Sequence, residues 1–235
     1  MLLAANEAAE QAQEAAKGER GRLVIGSLGV ATISFLSGVL ARFREQHPLV
    51  EITLLRMNIR AQVEAVLNGS VMLGIGLYGY ALEEEEEEQI STRLLLRSPV
   101  IVVCPKNRRL PEGTVPKLID FRHDRFLSIS PDYFGYEQWL RGFCKRVGGF
   151  EPNIATLTNS PEGLTGMVAA GHGVFVGPEI GIRARQESWR AAGDFYPLTE
   201  PESHCELLAI WKKQRPMEPI ISNFLDVSVA ELKSR

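Results

Sequence analysis

The sequence lacks what a membrane, secreted or metal-binding protein would show. No apolar run reaches the roughly 18 residues that a membrane-spanning helix needs, and no basic stretch precedes an apolar core at the amino terminus, so nothing there reads as a secretion signal. Cysteine is scarce: Cys104, Cys144 and Cys205 are odd in number and far apart. They make no CxxC pair and no Cys/His cluster of the sort that holds zinc. They read as reduced thiols of a cytoplasmic protein, packed as small apolar groups; a redox pair of Cys144 and Cys205 is the alternative.

An excess of positive charge is also missing. Lys and Arg number 26 against 29 Asp and Glu, a net charge of −3. A chain that grips phosphates carries a basic face. No Lys/Arg-rich stripe is present, which argues against direct nucleic-acid binding by this segment. Catalytic signatures are absent too: no GxSxG elbow, no HExxH and no P-loop. His47, His123, His172 and His204 are scattered and the aspartates show no paired arrangement. No enzyme activity, metal or cofactor is expected.

What is there is an ordinary globular composition, 45% hydrophobic and 23% charged over 235 residues, enough for one large domain or two small ones. Residues 1–17 read as an alanine-rich helix with Leu2, Leu3, Ala5, Ala8, Ala9, Ala12, Ala15 and Ala16 near heptad spacing, ended by Gly18. So thin a helix buries too little to stand alone and is expected to pack on a partner chain or on a neighbouring domain.

Strands and helices then alternate. Leu23–Ile25 reads as a strand, and Gly26 to Thr32 turn into a helix with Ile33, Leu36, Leu40 and Phe43 on its apolar face. His47-Pro48 stops it, because the residue before proline avoids α geometry. Val50, Ile52 and Leu54 alternate as a second strand. Asn58 caps a helix carrying Val63, Val66 and Leu67, closed by Gly69, and Val71–Leu77 form a third strand. This βαβαβ order predicts a parallel sheet. Glu83–Glu88, six glutamates in a row, repel one another and read as a solvated surface loop.

The apolar stretch Leu94–Val103 can leave one lobe and enter another, and residues 105–116 are loop-like. A second α/β set follows. Its strands are Phe126–Ile129, Ile154–Leu157 and Val174–Val176. One helical face shows Tyr136, Trp139, Leu140, Phe143 and Val147, and another Leu164, Met167 and Val168. Leu207–Trp211 is a returning strand. A last helix starts near Pro219 with Ile220 or Ile221, Phe224, Leu225 and Leu232 inward. The reading is α/β, two Rossmann-like lobes making a clamshell. Such folds bind small molecules at the carboxyl ends of the strands.

Gly74-Ile-Gly76-Leu-Tyr-Gly79 matches GxGxxG, but it follows the third strand and leads into glutamates, so a dinucleotide site is rejected. Better candidates are helix starts at strand ends, where free N–H groups and the helix dipole favour an anion. Gly26-Ser27-Leu28-Gly29 precedes one helix, with Ser27 and Thr32 adding hydroxyls, although Thr32 or a neighbour can equally serve as a mere cap. Asn58-Ile59-Arg60 and Asn159-Ser160-Pro161 repeat the arrangement, with Ser160 suited to the cap and Pro161 to the first helical position. Ser128-Ile-Ser130 adds hydroxyls at another strand end.

Several of these segments resemble a known family. Gly18-Glu-Arg-Gly-Arg-Leu-Val-Ile-Gly26 resembles the junction of linker helix and effector domain in LysR-type transcription regulators. Ala41-Arg-Phe-Arg-Glu-Gln-His-Pro48 followed by Val50-Glu-Ile-Thr, Asn68-Gly69 before an apolar strand, and Gly166-Met-Val-Ala-Ala-Gly-His-Gly-Val-Phe-Val-Gly-Pro178 are similar to further landmarks in the family's order. Ala61-Gln62-Val63-Glu64 resembles the branch that regulates aromatic-compound degradation through dicarboxylic intermediates such as muconates.

The resemblance implies a periplasmic-binding-protein-like (type 2) effector domain behind a linker helix. Its lobes are expected at residues 21–103 with 208–235 and at 104–207, with the linker at 1–20. It further implies a small organic acid effector between the lobes, a homo-oligomer (dimer or tetramer), and DNA contact only through an N-terminal winged helix-turn-helix. The expected effector-binding set is Ser27, Leu28, Ala31, Thr32, Asn58, Ile59, Tyr78, Ser130, Asn159, Ser160 and Pro161. Polar members would donate to a carboxylate, with Ile59 and Tyr78 packing on the rest. Ala31 and Ile59 are apolar where a muconate-type site would carry hydroxyls, so the acid is expected to be more apolar or aromatic. A transport-type solute-binding protein of similar shape, an α/β enzyme and a cysteine redox sensor are the rival readings.

Overall fold

The computed structural model describes residues 2–77, 82, 84–108, 110–111, 113–129, 136–214 and 216–233. In chain order the elements are α1 (Leu2–Ala16), β1 (Arg20–Ser27), α2 (Val30–Gln46), β2 (Leu49–Arg56), α3 (Ile59–Asn68), β3 (Leu73–Gly76), α4 (Glu84–Glu87) and β4 (Ile90–Pro105). A 3-10 turn (Leu118–Phe121), β5 (Arg125–Ile129), α5 (Tyr136–Phe143) with a π-type turn (Cys144–Gly148), β6 (Asn153–Thr158) and α6 (Pro161–Ala169) follow. The chain ends with β7 (Phe175–Pro178), α7 (Glu179–Arg183), α8 (Gln186–Ala192), β8 (Gly193–Pro197), β9 (His204–Lys212) and α9 (Pro219–Lys233). The chain divides into two compact units, one of Met1–Gly76, Leu82–Leu96 and Leu207–Arg235, the other of Leu77–Ala81 and Arg97–Glu206. The divisions fall within or beside the long strands, at 96/97 and 206/207, where the sequence had placed them at 103/104 and 207/208.

In the first unit β1 pairs parallel with β2 on one side and β3 on the other, and β3 pairs antiparallel with β9. Leu23 and Ile25 of β1 and Leu73 and Ile75 of β3 are wholly buried. β2 is an edge strand: Leu49, Leu54 and Leu55 are 45%, 40% and 39% exposed. The buried side of α2 is Thr32, Phe35, Leu36, Val39 and Phe43, with Leu40 half-buried. Leu36 and Phe43 lie inward as expected, Phe35 and Val39 join them, and Leu40 sits at the edge of the buried face; the side chain of Ile33 lies outside what the structure describes. Phe43 meets Phe224 of α9 edge-on at 5.2 Å and carries His47 stacked at 4.5 Å. Burying an aromatic of this kind contributes about 1.5–3 kcal/mol. Gly18 ends α1 at φ +69°, and a Cβ there would run into the backbone at Ile220, so a side chain is excluded on two counts.

The glutamate run is exposed as expected at Glu84, Glu85, Glu87 and Glu88, but it is helical rather than a loop over Glu84–Glu87 and turns one residue inward. Glu84–Glu87 form a helical turn and Glu86 is 9% exposed, bonded through both carboxylate oxygens to the guanidinium of Arg60. Arg60 supplies the counter-charge that lets Glu86 turn inward. Glu83 lies outside the described residues.

In the second unit the latter part of β4 pairs antiparallel with β7 and β8. β5 and β6 form a separate parallel pair, and Val174 bridges to β5 through bonds with Arg125 and Leu127. Two core clusters fill it. One gathers Val100, Val102, Cys104, Phe121, Phe126, Leu140 and Phe143; the other gathers Ile101, Val103, Leu127, Leu164, Val168 and Trp189. The alternation along Val100–Cys104 sends successive side chains into different clusters, as a pleated strand must. Tyr136 stacks on Phe175 at 5.6 Å, Phe175 on Trp189 at 5.0 Å, and the Tyr136 hydroxyl donates to the Val176 carbonyl at 2.5 Å. α7, α8 and β8 were not read from the sequence; each is too short to show a period.

Candidate functional site

Each unit brings a strand end against the start of a helix. In the first unit β1 ends at Ser27, which is 1% exposed. The Met57 amide donates to the Ser27 carbonyl at 2.9 Å, so the end of β1 and the start of α3 lie together. Asn58 caps α3: its Oδ1 accepts from the Ala61 amide at 2.8 Å. Gln62, one turn on, is fully buried and donates to the Met57 carbonyl at 3.0 Å. A Cβ on Gly26 would stand 3.0 Å from the Gln62 side chain and 3.3 Å from Met57 Sδ, so the strand end is packed tightly under the helix start.

The turn after β1 is held by its own hydroxyls. Ser27 Oγ accepts from the Gly29 amide at 3.2 Å, and the Thr32 hydroxyl donates to the Gly29 carbonyl at 2.9 Å. Gly29, at φ +81°, is the cap residue of α2 and offers no side-chain bond to the helix. Thr32 is fully buried and its proton is committed, whereas Ser27, accepting from the backbone, keeps its own proton to donate. Leu28 is half-buried and Ile59 is 2% exposed. Ala31 lies in the first turn of α2.

In the second unit β5 and β6 run parallel and end side by side, with Ile129 opposite Thr158. Ser128 is fully buried. Ser160 caps α6, its Oγ accepting from the Gly163 amide at 2.9 Å, and Pro161 takes the first helical position. Asn159 is exposed. Thr158 Oγ1 accepts from the Ser160 amide at 3.3 Å and bonds its carbonyl at 3.5 Å. The first unit therefore collects Ser27, Leu28, Thr32, Asn58 and Ile59, and the second collects Asn159, Ser160 and Pro161. Tyr78 and Ser130 lie outside the described residues.

Charge at these helix starts was not read from the sequence. Arg60, in the first turn of α3, is paired with Glu86 and also with Glu64 at 3.4 Å. Glu162, in the first turn of α6, meets Arg185 Nη1 at 2.5 Å. Bonds from its own backbone amide and from Arg185, with Ser160 contributing, hold the Glu162 carboxyl below its ordinary range. Gln62 could have been suspected as a polar residue inside an apolar stripe; the Glu86 and Arg185 partnerships span 26 and 23 residues and leave no local signal.

The cysteines are free and buried. Burial pushes the thiols of Cys104, Cys144 and Cys205 each up to about 12. They stay protonated at neutral pH and are poor nucleophiles. Among the described residues no group of three or more His, Cys, Asp or Glu is placed to hold a metal ion, and no helix is long and apolar enough to cross a membrane. Gly74 and Gly76 lie buried within β3, paired with Ile210 and Leu208, as sheet residues.

Comparison with known proteins gives the family. The model of the LysR substrate binding domain matches residues 16–233. The transcriptional regulator AlsR of Bacillus subtilis is 25% identical over 232 residues, covering 97% of this chain and 72% of that protein. The dual regulator GltC of the same organism is 28% identical over 219 residues, covering 93% and 70%. Among solved structures, the BenM effector-binding domain with its effector benzoate superposes with a TM-score of 0.75 at 20% identity, covering 91% of this chain and 92% of that one. The LysR family regulator CbnR gives 0.70 at 19%, covering 97% and 75%. These likenesses show the fold, an α/β periplasmic-binding-protein-like architecture of type 2. Regulators, not transport proteins, stand on the other side of them, which does not favour the solute-binding rival.

Proposed function

The chain belongs to the LysR substrate-binding domain family, a family of transcription regulators and not of enzymes, and from that premise we propose that it senses a small organic acid. The observation that carries this reading is the pair of capped helix starts at strand ends. α3 begins beside Ser27 and α6 beside Thr158, so the positive end of a helix dipole and a polar cap side chain stand at each strand end, which favours an anion there. The polar donors are Ser27, Asn58, Ser160 and Ser130, while Ile59 and Tyr78 pack on the apolar part. Because Ala31 and Ile59 bring no hydroxyls, the acid is aromatic or otherwise apolar beside its carboxylate, and benzoate, the effector of the similar BenM domain, is the model compound. On this reading the chain stands nearest the regulators of aromatic-compound degradation.

The regulator works in the cytoplasm as a homo-oligomer, dimer or tetramer, and reaches DNA through a winged helix-turn-helix outside these 235 residues. The effector need favour one arrangement of the oligomer by only about 1–3 kcal/mol. Thermal unfolding against benzoates, muconates and chlorinated catechol products tests the reading. A ligand at 100 times its dissociation constant adds about 2.7 kcal/mol, several degrees for a chain of this length. One acid should shift the transition, and Ser27→Ala combined with Ser160→Ala should erase that shift. A flat panel, or an undiminished shift in the double variant, counts against it.

A further inference from the structure

The chain leaves α1 through a turn that is held from several directions. The Glu19 amide donates to the Glu14 carbonyl at 2.9 Å and the Gly18 amide to the Ala15 carbonyl at 3.0 Å, with Gly18 at φ +69°. This pair of bonds is a Schellman closure, which fixes the direction in which a chain leaves its helix. The side-chain amide of Asn223, one turn into α9, donates to the Lys17 carbonyl at 3.0 Å and to the Gly18 carbonyl at 3.3 Å. Arg20, the first residue of β1, meets Glu14 Oε2 through its Nε at 2.7 Å. Gly18 itself is buried, and a Cβ on it would stand 2.7 Å from the Pro219 carbonyl carbon, so the turn lies directly on the start of α9. The helix before the turn is bare by comparison. The side chains of residues 8–13 are exposed, as are those of Ala15 and Ala16. A slack link would show the opposite, an exposed backbone with few bonds across it.

We propose that the Gly18 turn is a rigid joint with Asn223 as its positioning residue, so that α1 turns with the first unit as one lever. The inference draws on the regulator reading given above only for what the lever serves. An acid that reorients the first unit would swing α1 and the DNA-binding part attached to it. α1 has 15 residues and is about 22 Å long, so a rotation of the unit by about 10° moves its far end by about 4 Å. A loose joint would absorb that movement. The stiffness of the joint belongs to this chain and needs no effector.

The test is pulsed electron paramagnetic resonance on the whole chain, with nitroxides on Ala9→Cys in α1 and on Glu45→Cys near the end of α2. Both positions are exposed, and the native cysteines are buried and stay unlabelled. Excess unlabelled chain restricts the reading to distances within one molecule. The otherwise unaltered chain should give one narrow distance distribution. Asn223→Asp sets carboxylate oxygens against the Lys17 and Gly18 carbonyls and should broaden the distribution about twofold. Asn223→Ala, which only removes the donor, should broaden it less, and it carries the test if Asn223→Asp fails to fold. Asp226→Asn breaks the exposed pair with Arg93 on the same helix and should leave the width unchanged. A broad distribution before any change at Asn223, or a narrow one in both Asn223 variants, overturns the joint. Equal broadening by Asp226→Asn overturns the role of Asn223 in favour of a generally loosened α9. Thermal unfolding with benzoate reads the organic-acid proposal separately, so either can fail while the other stands.

Discussion

Asn58 and Ser160 cap their helices with the same bond, to the amide of the third helical residue, at 2.8 and 2.9 Å. Past the cap the two helices part. The first three residues of α3 are Ile59, Arg60 and Ala61; those of α6 are Pro161, Glu162 and Gly163. The dipole at a helix start favours the glutamate and disfavours the arginine. α6 thus needs only an exposed partner for Glu162. α3 tolerates Arg60 because Glu64 and the mostly buried Glu86 answer its charge. A shared cap therefore says little about the electrostatics of the turn it caps. The ion pair in the first unit is structural, holding α4 down, while the pair in the second unit sits where solvent can exchange with it.

Removing the arginines should break the symmetry most visibly. Arg60→Met leaves Glu86, 11% exposed in its side chain, with its main counter-charge gone. A fully buried orphan charge costs about 3–5 kcal/mol; with Glu86 partly wet, about 2 kcal/mol is expected. Arg185→Met orphans a carboxylate that is 66% exposed and should cost under about 0.5 kcal/mol. Urea midpoints of the two variants measure the difference, and equal shifts would remove the distinction between a structural and an exchangeable pair.

The third helical residue sharpens the comparison next. Gly163 looks like an obvious site for alanine, which ordinarily stabilises a helix by about 1 kcal/mol. A Cβ there, however, would strike Thr158 Oγ1 and stand 3.1 Å from Thr158 Cβ. Thr158 is β-branched and bonded to the Ser160 amide, so it turns away only by giving up that bond. Gly163→Ala is expected to destabilise by about 1–2 kcal/mol. In α3 the same position already carries Ala61, and Ala61→Gly should cost about 1 kcal/mol by propensity alone. If Gly163→Ala raises the melting temperature, the packing of α6 on its strand end is looser than drawn.

The caps should be near equals. Asn58→Ala and Ser160→Ala each remove one bond to a first-turn amide and should each cost about 1 kcal/mol. Hydrogen exchange at Ala61 and Gly163 separates the two losses. A cost confined to one helix would show that the other start is satisfied by something else.

Much of this was legible in the sequence because it is local. The caps Asn58 and Ser160, the Gly69 stop, the parallel sheet of β1, β2 and β3 and the returning strand before α9 follow from spacing, turn residues and apolar runs within a few positions. Partnerships across distance were not legible. Nothing in six consecutive glutamates marks Glu86 as the one that turns inward to Arg60, and nothing near Glu162 marks Arg185. Along α2, Leu36 and Phe43 were read as inward and are buried, whereas Phe35 and Val39 were not read, because neighbouring apolar residues leave the edge of the inward face open. α7 and α8, of 5 and 7 residues, are held by tertiary packing of Ile182 and Trp189 rather than by periodicity.

The smallest expected effect tests which way the charge at α6 works. Glu162 is held below its ordinary value of 4.5 by its own backbone amide first and by Arg185 next. A carboxyl whose folded value is lowered stabilises the fold fully at pH values above its unfolded one, and that contribution fades as pH falls through the folded value. Wild type should therefore exceed Glu162→Gln in stability at neutral pH by no more than about 0.5 kcal/mol, since the group is largely in water. The gap should close on acidification below the ordinary carboxylate range. It should also shrink in high salt, because the exposed pair is screened. Paired urea titrations across pH 7 to the acid limb measure it. A gap that persists at acid pH would mean that Glu162 supports α6 by packing rather than by charge.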